Sequence, residues 1–319
     1  MLSRVAAALY WMGRYLERAE NVTRLLMTTE DLSTEIRGFN SKLALDEWRG
    51  LDAVFPGAQV EEGRRAALDA VALGRLSSFF GRQSNTYSIA FSLRKARENA
   101  RTVREALSVE VFVTLNDAYR DLEHQAARDF RDLPAARAAL GSTQKALLSV
   151  SGAIEHTLSR DQGWSFLKLG EALERVYRTA TLLRVKLPAL LSASPERDIP
   201  LHFAQWRGLL KSLSSLENYR KVHGGRMEPD TIVQFLVFDP HAPRSLRFGA
   251  GSVKACLEAA GSGEAPSPPA RVIGRLDSQL RYAEVTARAG EKAMTAFLDS
   301  VLTDLSTTHD ALDAFYFET

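Results

Sequence analysis

The sequence predicts an all-α protein: antiparallel helical bundles joined by short helical connections and short loops. Three observations predict it. Residues 57–133, 135–187 and 270–319 contain no proline and are rich in Ala, Leu, Arg and Glu, all good helix formers. Apolar residues recur at helical spacing, most cleanly as Ile89, Leu93, Ala96, Ala100, Val103 and Leu107. No segment alternates convincingly with period two.

The elements follow in order. Ser3 is the expected cap of a helix running to about Arg37, where Gly38 stops it. A short helix covers 43–54, closed by Pro56-Gly57, and another runs from about 60 to 73 and ends at Gly74. Ser84 or Asn85 caps the next, which reaches about Leu107. Its stripe keeps the 3.5-residue spacing of knobs-into-holes packing, and its two alanines admit a close neighbour. Further helices cover about 109–130, 135–158, 163–187, 202–222 and 230–237. The run Thr231-Ile-Val233 follows Glu228-Pro229, a helix-start signal, so it reads as helix despite its β-branching. A helical segment at 243–260 follows a proline-rich turn. Residues 261–269 are the one loop of biased composition. Helices at about 270–288 and 291–316 finish the chain.

Gly13-Arg-Tyr-Leu-Glu-Arg18 is matched by Gly170-Glu-Ala-Leu-Glu-Arg175. Two copies at that distance suggest one domain over 1–319 with two pseudo-equivalent halves, 1–160 and 161–319, and not a solenoid. The two helices that carry the repeat are expected in one bundle.

Composition narrows the function by exclusion. The chain has 319 residues, is 45% hydrophobic and 25% charged, and carries a net charge of +2. That balance argues against a dedicated nucleic-acid binder. One cysteine, Cys256, excludes an internal disulfide framework, and its apolar helical surroundings predict a buried, inert thiol. No targeting signal and no membrane-length apolar run is found, so a cytoplasmic location is expected. There is no phosphate loop, GxGxxG, HExxH, Glu-x-x-His pair or nucleophile elbow. No metal set and no cofactor are indicated. The six histidines are scattered and read as surface or helix-end residues.

Three helices concentrate Glu and Arg. On the first, Arg14, Glu17, Asn21 and Arg24 share a face, with Arg18 at its edge. On the second, Glu171, Glu174 and Arg178 share a face, with Arg175 beside it. On the third, Arg94, Arg97, Glu98 and Arg101 cluster, with Asn99 among them. Arginine suits planar, bidentate binding of carboxylate or phosphate. Interspersed Glu and Arg at helical spacing fit either an anion clamp or ordinary i,i+4 ion pairs. Arg14–Arg18 and Arg97–Arg101 are like-charge i,i+4 pairs, which call for a tertiary partner or a ligand. A fourth candidate is the turn holding Asp239-Pro240 and Pro243-Arg244, where Arg244 stands near a helix start and suits an anion. An acid pairing with Arg244 is the alternative there.

At these motifs the chain resembles the alpha-E family, a bacterial all-helical domain named for its Glu-Arg motif. The resemblance is carried by Leu2-Ser-Arg-Val5, Leu9 to Asn21, Ala96 to Arg104 with Asn116, Gly163 to Gly170 with Leu173-Glu-Arg175, and Asp239-Pro240 with Pro243-Arg-Ser245. Carried over by position, its motif residues are Glu17, Arg18, Glu98, Asn99, Arg101, Glu174 and Arg175. The second copy departs from the first, with Val176-Tyr177-Arg178 where Ala19-Glu20-Asn21 stands. The resemblance implies a genomic setting of circularly permuted ATP-grasp ligases and transglutaminase-like proteins, and so a role in peptide or amide-bond metabolism. Two functions are expected from it. One is an accessory component that binds a partner ligase, a peptide or an acidic small molecule. The other is an amide-bond hydrolase or transferase with a Glu base and an Arg clamp. No nucleic-acid or membrane partner is expected.

Overall fold

A computed structural model describes residues 1–56, 67–127, 129–192, 199–261, 265–283 and 290–318. Every regular element among them is helical. The chain forms two compact units, Met1–Glu171 and Ala172–Thr319.

In the first unit α1 (Ser3–Ile36) is the central helix. Around it stand α2 (Ser41–Arg49), α4 (Leu68–Gly81), α5 (Ile89–Thr102) and α7 (Leu133–Thr157), with α6 (Val109–Ala126) against α5 and α7. α7 runs antiparallel to α6 and to α1. Ser108 meets Thr157 at 2.6 Å at one end of the α6–α7 pair, and Ser142 reaches Gln125 at 3.1 Å at the other. Arg137, near the start of α7, binds Glu30 and Asp31 near the end of α1. All six members of the expected stripe, Ile89 to Leu107, are buried, but α5 ends at Thr102, and Val103 and Leu107 flank a 3-10 turn at Arg104–Ala106.

α8 (Gln162–Ser192) opens in the first unit. It crosses α1 where both helices carry the repeated glycine. A methyl group on Gly13 would stand 2.1 Å from the Leu167 carbonyl oxygen, and one on Gly170 would stand 2.0 Å from that of Tyr10. The two helices therefore touch backbone to backbone. The contacts are reciprocal: each glycine faces the residue three before the other. The repeat is thus a local two-fold helix crossing.

The second unit is built on the later turns of α8. It contains α9 (Ile199–Ser212), α10 (Leu216–His223), α11 (Pro229–Phe238), α12 (Leu246–Ala260), α13 (Pro268–Tyr282) and α14 (Gly290–Leu312), with a five-residue π turn at Asp313–Phe317. Gly249 of α12 lies against Val176, and Arg184 makes a two-pronged bond to Asp299 of α14 at 2.6 and 3.3 Å.

Several boundaries differ from the sequence expectation. Leu2 occupies the cap position of α1 without a side-chain bond, and Ser3 is already helical. Residues 43–54 are divided by Gly50 into α2 and a single turn, α3 (Leu51–Val54), and Asn40 caps α2. The expected start near residue 60 and Gly57 lie outside the described residues. Gly74 does not end its helix, because Val71, Ala72, Leu76, Phe79 and Phe80 bury a continuous stripe across it. That burial outweighs the ~1 kcal/mol penalty of a helical glycine. Ser88, not Ser84 or Asn85, caps α5, and Asn85 instead closes the preceding turn onto the Tyr87 amide at 3.0 Å. α8 continues through Pro188. The single helix expected over 202–222 breaks at Ser214, whose φ is 49°. Residues 284–289, in the expected tail of the 270–288 helix, lie outside the described residues. Cys256 is half-buried, since its side of α12 is only partly covered.

Candidate functional site

On α1, Arg14, Glu17, Asn21 and Arg24 are all buried. The Arg14 guanidinium donates to the Tyr10 hydroxyl at 2.8 Å and lies 5.5 Å from the Trp11 ring centre. Arg24 pairs with Glu20 one turn earlier. Arg18 is half-buried, 5.2 Å from the Tyr15 ring centre and 5.9 Å from that of Tyr87. Both arginines thus lie over aromatic rings of their own helix, and Tyr87 adds a ring from outside it for Arg18.

An aromatic row links these residues to α5. Trp11 and Tyr15 stand 5.7 Å apart, and Tyr15 meets Phe91 edge-on at 6.3 Å. Arg94 then lies 5.4 Å from Phe91. Each of Trp11, Tyr15 and Phe91 precedes an arginine by three residues, the spacing that stacks side chains on one helix face. That recurrence is legible in the sequence, and a search confined to Glu and Arg misses it.

The rest of α5 faces α6. Arg97 donates from Nε to Asn116 Oδ1 at 2.6 Å, and its guanidinium carbon sits 4.9 Å from the Tyr119 ring centre. Asn116 is itself held by its own bond to the Phe112 carbonyl at 2.8 Å. Among the described residues Arg94 Nε is buried without a hydrogen-bond partner. Glu98 and Arg101 are exposed. Lys95 holds Glu98 at 2.7 Å. That bond lowers the Glu98 carboxyl below its usual range; slight burial opposes it, and the charges of Lys95, Arg94 and Arg101 add to the lowering. Asn99 turns back to the Lys95 carbonyl at 2.8 Å, a local helix bond. Among the described residues no carboxylate pairs with Arg94, Arg97 or Arg101. Burial raises the Tyr119 phenol above its ordinary range, its bond to Glu123 adds to this, and the nearby Arg97 and Arg94 charges oppose it. Of the two, Arg97 lies over that ring.

Beside the glycine crossing, Lys168 binds Glu171 on α8 and Glu155 on α7, the latter at 2.7 Å. Burial works to lower the Lys168 ammonium, but the two carboxylates outweigh it and raise it above 10.5. Burial likewise works to raise Glu155, and its bonds from Lys168 and Arg160 bring it below its usual range. The linkage signs follow. The depressed Glu155 contributes stability that is lost as pH falls through its folded value, and the raised Lys168 contributes stability that is lost as pH rises through its own. The gap in melting temperature between the native protein and Lys168→Met is expected to be flat from about pH 5 to about pH 10 and to narrow beyond either end. Melting curves across that range measure it, and a gap that tracks histidine titration would contradict it.

In the second unit, Glu174 is fully buried and accepts from Arg178 Nε at 2.8 Å. Arg175 is half-buried beside it. Asp239 accepts the amides of His241 and Ala242 at 2.7 and 3.0 Å, so that oxygen serves the turn. Ser245 caps α12, and Arg244 is half-buried within this turn. Among the histidines, His202 in the first turn of α9 accepts from Trp206 Nε1 at 2.9 Å, and burial keeps its imidazole below the ordinary range.

So Arg14, Glu17, Arg18, Asn21, Arg97, Glu98, Asn99 and Arg101 share the first unit, and Glu174, Arg175 and Arg244 belong to the second. Among the described residues no group of three His, Cys, Asp or Glu could hold a metal, and no helix is long and apolar enough to cross a membrane. A shallow pocket lined by Ser77, Phe80, Gly81, Arg82, Ala126 and Phe130 holds none of the motif residues.

These features define an all-helical chain with buried Glu and Arg residues on α1 and α8 and an arginine row on α5. The chain belongs to the Alpha-E family, described as a predicted alpha-helical domain with a conserved ER motif, which matches residues 1–317. Uncharacterized proteins of Mycobacterium bovis and of two Mycobacterium tuberculosis strains are similar to it, each 26% identical over 331 residues and 98% of this chain. The chain spans about a third of their length, 36%. No solved structure matches it.

Proposed function

We propose that this domain is a binding component that takes a carboxylate-bearing, peptide-like ligand and serves a partner acting on amide bonds, an ATP-grasp ligase in the setting the family resemblance implies. The observation that carries the reading is the arginine row of α5. Arg94, Arg97 and Arg101 have no carboxylate partner among the described residues, while the one acid between them, Glu98, is held by Lys95. Arg97 is already oriented by Asn116 and Tyr119, so its outer N–H edge is preorganised for a carboxylate. The relatives support a modular role, because in them this region is about a third of a longer chain.

The catalytic alternative draws less support from the same geometry. A general base works best with a pKa near the operating pH, and Glu98 is shifted the other way. Glu17 and Glu174 are buried.

Calorimetric titration with an acidic peptide tests the reading. Arg101→Gln is expected to leave the melting temperature nearly unchanged, as an exposed substitution should. It is also expected to weaken binding by about ten- to hundredfold, the loss of a charged hydrogen bond. Mass spectrometry of the peptide after incubation should show no change. Turnover by this chain alone would overturn the proposal.

A further inference from the structure

We infer that the α5 row binds a run of carboxylates on one side of an extended acidic peptide, not a lone carboxylate; this rests on the proposed role in carboxylate binding. Arg94, Arg97 and Arg101 rise along one helix face by about 4.5 and about 6 Å. An extended chain presents same-side residues every ~6.8 Å. Two acidic side chains at alternate positions therefore match Arg97 and Arg101, and a third comes within reach of Arg94.

A single carboxylate satisfies one guanidinium and leaves the like-charge pair Arg97–Arg101 in place. A row of carboxylates relieves it. The orphaned Arg94 Nε is a second, independent sign of a missing acceptor at that end of the row. The facing groups do not cancel the charge. Glu98 is bound by Lys95 and Glu123 on α6 by the Tyr119 hydroxyl, and among the described residues neither forms an ion pair with an arginine of the row. Nucleic acid fits less well. Guanidiniums already lie over Phe91 and Tyr119, so those rings are not open for base stacking, and the net charge is only +2.

The test titrates the full chain with three probes: N-acetyl-glutamate amide, an acetylated Glu-Ala-Glu-Ala-Glu amide, and oligothymidylate. The three-Glu peptide is expected to bind about a hundredfold tighter than the single Glu, with affinity falling steeply as salt rises. Arg94→Gln, Arg97→Gln and Arg101→Gln should each remove about tenfold of that gain. Arg101 is exposed, so its variant folds independently of the outcome. If the single Glu binds within about twofold of the peptide, the run of carboxylates is wrong and the carboxylate reading stands. If neither binds, both fail. Oligothymidylate binding more tightly than the peptide would transfer the row to nucleic acid and overturn the inference.

Discussion

Gly13→Ala and Gly170→Ala are each expected to destabilise the first unit by about 3 kcal/mol or more, beyond the usual range for one added methyl group. The methyl on Gly13 would stand 2.1 Å from the Leu167 carbonyl oxygen and 3.1 Å from the Glu171 amide nitrogen. On Gly170 it would stand 2.0 Å from the Tyr10 carbonyl oxygen and 3.0 Å from the Arg14 amide nitrogen. Every one of these is a backbone atom inside a helix, so no side chain can rotate out of the way. The helices must move apart by more than an ångström, and the dispersion contacts along the crossing weaken with them. Gly141→Ala and Gly274→Ala are the controls. Both sit in helices with nothing among the described residues within 4 Å of the added carbon, so the same chemical change should stabilise by ~0.5–1 kcal/mol. Thermal melts of the four variants should show opposite signs. The double mutant Gly13→Ala/Gly170→Ala should cost less than the sum, because the first methyl already opens the crossing that the second needs. A Gly13→Ala protein that melts like the native one would mean that the backbone contact is not made.

The same crossing shows what the sequence disclosed and what it withheld. The repeated Gly-x-x-Leu-Glu-Arg pattern is plain to see, but attention falls naturally on its charges. Its glycines mark the contact, and the pairing is reciprocal, Gly13 with Leu167 and Gly170 with Tyr10. The helical content and the α5 stripe are legible because burial and propensity agree along a long segment. Boundaries are less so, because local signals compete. Ser84, Asn85 and Ser88 are all good caps, and the Asn85 turn onto Tyr87, whose ring lies 5.4 Å from Phe55, leaves Ser88 to open the helix. At the site, residue types are legible and partners are not. Arg97 is oriented by Asn116 and Tyr119 from another helix, and only the antiparallel pairing of α5 with α6 brings them together. The aromatic residues three before Arg14, Arg18 and Arg94 are open to discovery by spacing alone.

The second large effect is expected at Glu174. Its carboxylate is fully buried, and Arg178 donates to it at 2.8 Å with a side chain that is itself only 5% exposed. Arg178→Ala removes a guanidinium that donates to this buried carboxylate, and breaking one side of a buried pair should cost ~3–5 kcal/mol. Glu174→Gln keeps the shape and an acceptor oxygen while removing the charge, and it too weakens the hold on a buried cation. Replacing both together, as Glu174→Met with Arg178→Met, removes both charges and fills much of the same volume. That double variant should fall within ~1–2 kcal/mol of the native protein, well short of either single change, because neither ion is then left to be desolvated alone. With Glu174→Met and Arg178→Met also measured singly, the cycle of melts reports the coupling directly. If the double variant is as unstable as the two single costs added together, the pair is not a mutually dependent unit, and Glu174 owes its place in the second copy of the Glu-Arg motif to its other contacts.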